Sequence, residues 1–156
     1  MADEIVSVRY MVDDVDTAVA FYTKYFGFAL RSNMAPAFAD VVRGQLRLLL
    51  SGPTSSAGRA MPDGATPCPG GWNRIHFIVD DIQGEVERLR ADGVRFRNDI
   101  ITGPGGKQIL VEDPSGNPIE LFEPADRCPT HRTVFTCPRP VSPARLSAGL
   151  LDRVEA

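Results

Sequence analysis

The chain has 156 residues, a net charge of −3 and a pI near 5.4, so it offers no basic field to nucleic acid or to an anionic membrane. With 43% apolar and 24% charged residues it is expected to fold rather than stay disordered, as one compact domain or two small units sharing a core. No apolar run approaches the roughly 20 residues that span a bilayer, and the acidic, strand-like opening MADEIVSV does not read as a signal peptide, so a cytoplasmic location is expected.

From residue 5 to 12 the alternation predicts a strand, with Val6, Val8, Tyr10 and Val12 on one face and Ser7, Arg9 and Met11 on the other. Asp14 or Asp16 can cap a helix whose buried stripe is Val15, Ala18, Val19, Tyr22 and Phe26, and Gly27 is placed to end it. Strands are expected near Ala37–Val42 and Gln45–Ser51.

The order then repeats. Ile75, Phe77 and Val79 share one strand face, and Arg74, His76 and Ile78 share the other. Asp80 or Asp81 caps a helix burying Ile82, Val86 and Leu89, and Gly93 closes it. Strands follow at Gln108–Glu112 and Pro118–Glu123, joined by the turn-forming DPSGN at 113–117. One shift of 67 residues carries Val12 onto Val79, Tyr10 onto Phe77, Val15 onto Ile82 and Val19 onto Val86, so the unit is duplicated. The first unit spans 4–51 and the second 72–124, within a folded part of 1–124. Between them, the Gly-, Pro- and Ser-rich stretch 52–71 reads as a linker or long loop. The Pro-rich segment 125–156 reads as a tail, mobile or lying along a partner subunit.

Cys68, Cys128 and Cys137 each precede proline, and an odd count without a secretion signal argues for free thiols rather than a disulfide framework. Cys128, His131 and Cys137 lack the fourth ligand of a structural zinc site. The GPGG at 103–106 lacks the setting of a phosphate loop and reads as a flexible loop.

The β-α-β-β-β unit written twice, opened by VDDVDTAVAFYTKYFGF and ended by VEDPSGNPIELFEP, resembles the vicinal oxygen chelate superfamily of glyoxalases, extradiol dioxygenases and bleomycin-resistance proteins. The resemblance implies an α+β fold: two modules forming cupped mixed sheets, helices outside, and a small-molecule cavity along the inner faces. It also implies a homodimer, because paired modules in that family often complete the cup across subunits. The family's metal positions fall here on Ser7, Leu49, Arg74 and Glu120. Only Glu120 is a good ligand for a divalent cation: serine is poor, leucine cannot coordinate, and arginine brings positive charge.

Strand parity places Arg9, Arg47, Arg74, His76 and Glu120 on the inner faces. Arg74 and Glu120 can be a structural ion pair in which the guanidinium stands where the cation was. Equally, the arginine forks can receive a carboxylate or phosphate, and Trp72 can stack on a ring or anchor a loop. The expected function is metal-independent binding of a small anionic or aromatic molecule by Arg9, Arg47, Trp72, Arg74, His76 and Glu120, with no cofactor. The alternative is a metal-dependent lyase, isomerase or dioxygenase in which His76 and Glu120 hold a divalent cation. A third reading is a dimeric interaction module that has lost its ligand.

Overall fold

The computed structural model describes residues 5–125, so the tail, with Cys128, His131 and Cys137, lies outside the described residues apart from Ala125. The first unit runs β1 (Val6–Met11), α1 (Val15–Phe26), β2 (Ala29–Met34), β3 (Phe38–Arg43) and β4 (Leu46–Ser51). The second runs β5 (Ile75–Ile78), α2 (Ile82–Ala91), β6 (Arg95–Phe96), β7 (Ile101–Gly103), β8 (Gly106–Glu112) and β9 (Pro118–Pro124). A short 3-10 turn at Ser56–Gly58 interrupts the connection between them.

Each unit makes one mixed sheet. The order β1-β4-β3-β2 joins β1 to β4 in parallel and the rest antiparallel; β5-β9-β8-β6 repeats the pattern, with β7 also pairing with β8. Both sheets keep their first strand at an edge because the helix that follows must cross the sheet before the chain can return beside it.

The helices start where the carboxylates predict. The carboxylate of Asp14 accepts from Thr17 N at 2.7 Å and that of Asp81 from Gly84 N at 3.1 Å, which settles both N-caps. Gly27 takes the left-handed conformation (φ 65°) and returns its N–H to Tyr22 O, closing α1. The buried stripe of α1 is Val15, Ala18, Phe21, Tyr22 and Phe26, whereas Val19 is only partly covered. Phe21 replaces it because α1 packs through a run of rings: Phe21 sits 5.3 Å from both Tyr22 and Tyr25 and 5.5 Å from Phe26. On α2 the expected Ile82, Val86 and Leu89 are fully covered, each burial contributing about 1.5–3 kcal/mol.

Three strands escape the sequence pattern. β2 is an edge strand, mostly exposed and irregular in register around Arg31, so it shows no alternation. β6 and β7 are too short to display a period. The GPGG stretch closes the β7–β8 hairpin, with Gly103 paired to Gly106.

The seam between the units is polar and buried. The Tyr10 hydroxyl receives Ile75 N–H at 2.9 Å and donates to Pro118 O at 3.0 Å, and burial pushes its pKa to about 12. Tyr22 donates from α1 to the Asp113 carboxylate at 3.0 Å, and Asn117 Nδ2 reaches back to Met11 O at 2.8 Å. Apolar contact continues the seam: Phe77 stacks on Phe26 at 5.6 Å and meets Phe28 edge-on at 6.1 Å.

Candidate functional site

The face of each sheet turned away from its helix carries the polar residues singled out in the sequence. On the first sheet one cross-strand row reads Arg9, Leu49, Asp40, Ser32. On the second the row reads His76, Glu120, Leu110. The 67-residue shift carries Arg9 onto His76, and the pairings Arg9↔Leu49 and His76↔Glu120 make Leu49 and Glu120 equivalent as well.

On the second sheet the structure brings Arg74, His76 and Glu120 together. Arg74 precedes β5 by one residue, and its Nε lies 2.5 Å from Glu120 Oε2. Its Nη1 donates to Trp72 O at 3.1 Å. His76 Nε2 stands 3.8 Å from the other carboxylate oxygen, and its ring lies 5.2 Å from Phe122, the next residue along the same face of β9. Trp72 is 71% exposed, with the Arg97 guanidinium 5.0 Å from its ring centroid.

Arg9 and Arg47 belong to the first sheet. Arg9 Nη1 donates to Ser51 Oγ at 2.6 Å, a neutral partner. Arg47 Nε donates to Asp40 Oδ2 at 2.5 Å. Asp40 is fully buried, also accepts from Ser32 Oγ, and has Arg31 Nε 4.0 Å away. Burial alone would raise its pKa, but the bonds from Ser32 and Arg47 and the charge of Arg31 outweigh it and hold the carboxyl below its ordinary range. Sequence reasoning missed Asp40, Ser32 and Arg31. The signal available was the apolar-flanked aspartate in FADVV, since a carboxylate inside a strand needs a cation or a donor beside it.

A second buried carboxylate, Asp113, organises the turn before β9, accepting from Ser115 N, Asn117 N and Asn117 Nδ2 as well as from Tyr22. Burial raises its pKa, offset only in part by those bonds. These contacts hold the turn and its strand in place and explain the DPSGN stretch.

The four family metal positions do not suit a cation. Leu49 has no donor atom, Ser7 offers only a neutral hydroxyl, Arg74 brings a positive charge, and Glu120 already has one oxygen bonded to that guanidinium. Among the described residues no group of three or more His, Cys, Asp or Glu side chains comes together to hold a metal ion. Outside these faces, a cleft of about 240 Å³ lies at the seam between Phe26, Arg43, Phe77 and Arg88. Among the described residues no helix is long and apolar enough to cross a membrane.

Several solved structures are similar to this chain. Lactoylglutathione lyase from Agrobacterium tumefaciens is 26% identical with a TM-score of 0.59, over 78% of this chain and 93% of that one. A Glyoxalase/bleomycin resistance protein/dioxygenase superfamily member from Sphaerobacter thermophilus is 28% identical with a TM-score of 0.62, over 76% and 95%. TnmS3, an antibiotic binding protein from Streptomyces sp. CB03234, is 25% identical with a TM-score of 0.59, over 80% and 99%. No functionally curated protein matches the chain. The family profile covers residues 4–121, the first duplicated unit, all but the end of the second and the rows just described, and this chain therefore belongs to the Glyoxalase/Bleomycin resistance protein/Dioxygenase superfamily.

Proposed function

We propose that this protein binds a small anionic or aromatic molecule on the polar faces of its two sheets, without a metal. One observation carries the reading: Arg74 Nε sits 2.5 Å from Glu120, at two of the positions where the superfamily's enzymes hold a cation. A guanidinium there neutralises the carboxylate and leaves His76 and the first-sheet arginines to face a ligand. The similarity to TnmS3, an antibiotic binding protein, at 25% identity supports a binding role.

The faces are open in a single chain, where Ile78, beside His76 on β5, is 69% exposed. A second copy of the chain would cover them and complete a cup, so the working unit in this reading is a homodimer. Light scattering on the purified protein is expected to give a mass near twice 17.0 kDa.

Elemental analysis tests the metal-independence directly. After purification without chelators the expected metal content is far below one per chain. About one zinc, iron, manganese or nickel per chain, lost on Glu120→Gln or His76→Ala, would instead support a metal-dependent lyase, isomerase or dioxygenase centred on His76 and Glu120.

A further inference from the structure

The arginines of this chain differ in how much of each guanidinium the fold consumes. Arg97 is used up: Nε donates to Glu112 at 2.7 Å, Nη1 to Gly71 O and Nη2 to Gly116 O, both at 2.8 Å. That is an arginine serving the structure alone. Arg74 is intermediate, with Nε on Glu120 and Nη1 on Trp72 O. Arg47 is held by one nitrogen alone. Its Nε is fixed on Asp40, and among the described residues neither of its terminal nitrogens has a protein acceptor. Its side chain is 33% exposed, enough to be reached and too covered to be a freely solvated charge.

The anchor beneath it is unusual in cost. A fully buried carboxylate in a strand is unfavourable unless it is bonded, and here the bonds come from Ser32 and Arg47. An isolated ion pair would leave the first-sheet face near neutral. Instead Arg31 stands 4.0 Å from the same carboxylate, and Arg9 lies in the same cross-strand row with only a serine as partner. Three guanidiniums are therefore set against one carboxylate, whereas on the second sheet Arg74 is matched by Glu120. Positive charge is concentrated on the first sheet.

We infer that Arg47 is the residue that takes the anionic group of the ligand, that Asp40 is its positioning residue, and that the ligand bears a planar or tetrahedral oxyanion such as a carboxylate, phosphonate or phosphate ester. Held by Nε, the guanidinium presents its two outer N–H groups side by side, the fork that matches a pair of oxyanion oxygens. Asp40 cannot itself meet the ligand, because it is buried under the side chains that it orients. Arg31 and Arg9 add attraction from either side of the row. This assignment rests on the binding role proposed above and narrows it to one charge class and one sheet.

The test uses the full chain and three probes of similar size, phenylphosphonate, benzoate and benzamide, titrated by calorimetry. The two anions are expected to bind and benzamide to bind at least about tenfold more weakly, the equivalent of one charge-assisted contact. Arg47→Lys keeps the charge and loses the fork, so anion affinity should fall about tenfold with benzamide unchanged. Asp40→Asn should weaken the anions in the parent but have no further effect in an Arg47→Lys background, a non-additivity that a merely structural role would not give. Should Asp40→Asn fail to fold, Ser32→Ala loosens the same carboxylate and should give a smaller loss of the same pattern. If the anions bind and Arg74→Ala abolishes binding while Arg47→Lys does not change it, this assignment is overturned and the wider binding role stands. If phenylphosphonate binds no better than benzamide, or no probe binds, the assignment falls together with the anionic part of that role.

Discussion

Glu120→Gln removes the charge that faces Arg74 while keeping shape and one acceptor oxygen, so it isolates the electrostatic part of the contact. The bond is short, 2.5 Å, but the side chains are 12% exposed for Glu120 and 35% for Arg74. A charge-assisted hydrogen bond contributes about 1.5–3 kcal/mol when sheltered, and an exposed pair about 0–1 kcal/mol. With one partner largely covered and the other a third open, screening brings the expected loss to about 1 kcal/mol. For a domain of this size that lowers the melting temperature by roughly 3–5 °C. Circular dichroism melts of the parent, Glu120→Gln, Arg74→Gln and the double variant give the coupling between the two residues. A positive coupling of about 1 kcal/mol is expected, with the double variant more stable than the sum of the singles implies. No coupling would refute the claim that the guanidinium neutralises this carboxylate. A more stable Glu120→Gln protein would refute it more strongly, since the glutamate would then be a charge that the fold tolerates for another purpose.

Tyr22→Phe should cost about 1.5–3 kcal/mol in urea unfolding, because Asp113 is buried and loses one of the donors that satisfy it. Acid titration of stability should separate the two buried aspartates. Asp40, its pKa lowered in the fold, adds stability that is present above the unfolded carboxylate value near 4 and lost as pH falls through its folded value, so the parent's advantage over Asp40→Asn should shrink in acid. Asp113, its pKa raised, behaves oppositely: its contribution is full below the unfolded value and declines as pH rises through the folded one, so the parent should gain on Asp113→Asn as pH falls, measured by melts between about pH 3 and 7. Gly106→Ala should cost about 2 kcal/mol or more in the same melts, since at φ 141° its new Cβ would lie 2.1 Å from Glu123 O.

What could be read in advance follows from how each feature is encoded. Periodic burial is written locally, so β1, both helices and the strands carrying Leu48, Leu50, Ile109 and Val111 show in the pattern. Strand parity is equally local, which is why Arg9, Arg47, Arg74, His76 and Glu120 could be named before any coordinates. β2 could not, because an edge strand with little burial has no period to show. Partner choice is not local either. Nothing in the chain order distinguishes Arg97, consumed by backbone carbonyls from distant loops, from Arg47, held by a carboxylate on the neighbouring strand. Asp40 was overlooked for the same reason: its neighbours in sequence are apolar, and its donors arrive from β2 and β4.

The phenol that bridges the two units also tells against their being interchangeable. Tyr10 and Phe77 hold equivalent places in the repeat, and a single oxygen separates them. That oxygen lies on one side only, where it serves both Ile75 N–H and Pro118 O. Two copies of the second unit would have no hydroxyl at this junction, and both backbone groups would lose their partner. Divergence after duplication has thus made the second half depend on the first at this contact. Doubling the second half should leave this junction unsatisfied, and Tyr10→Phe is the smallest change that would expose the dependence.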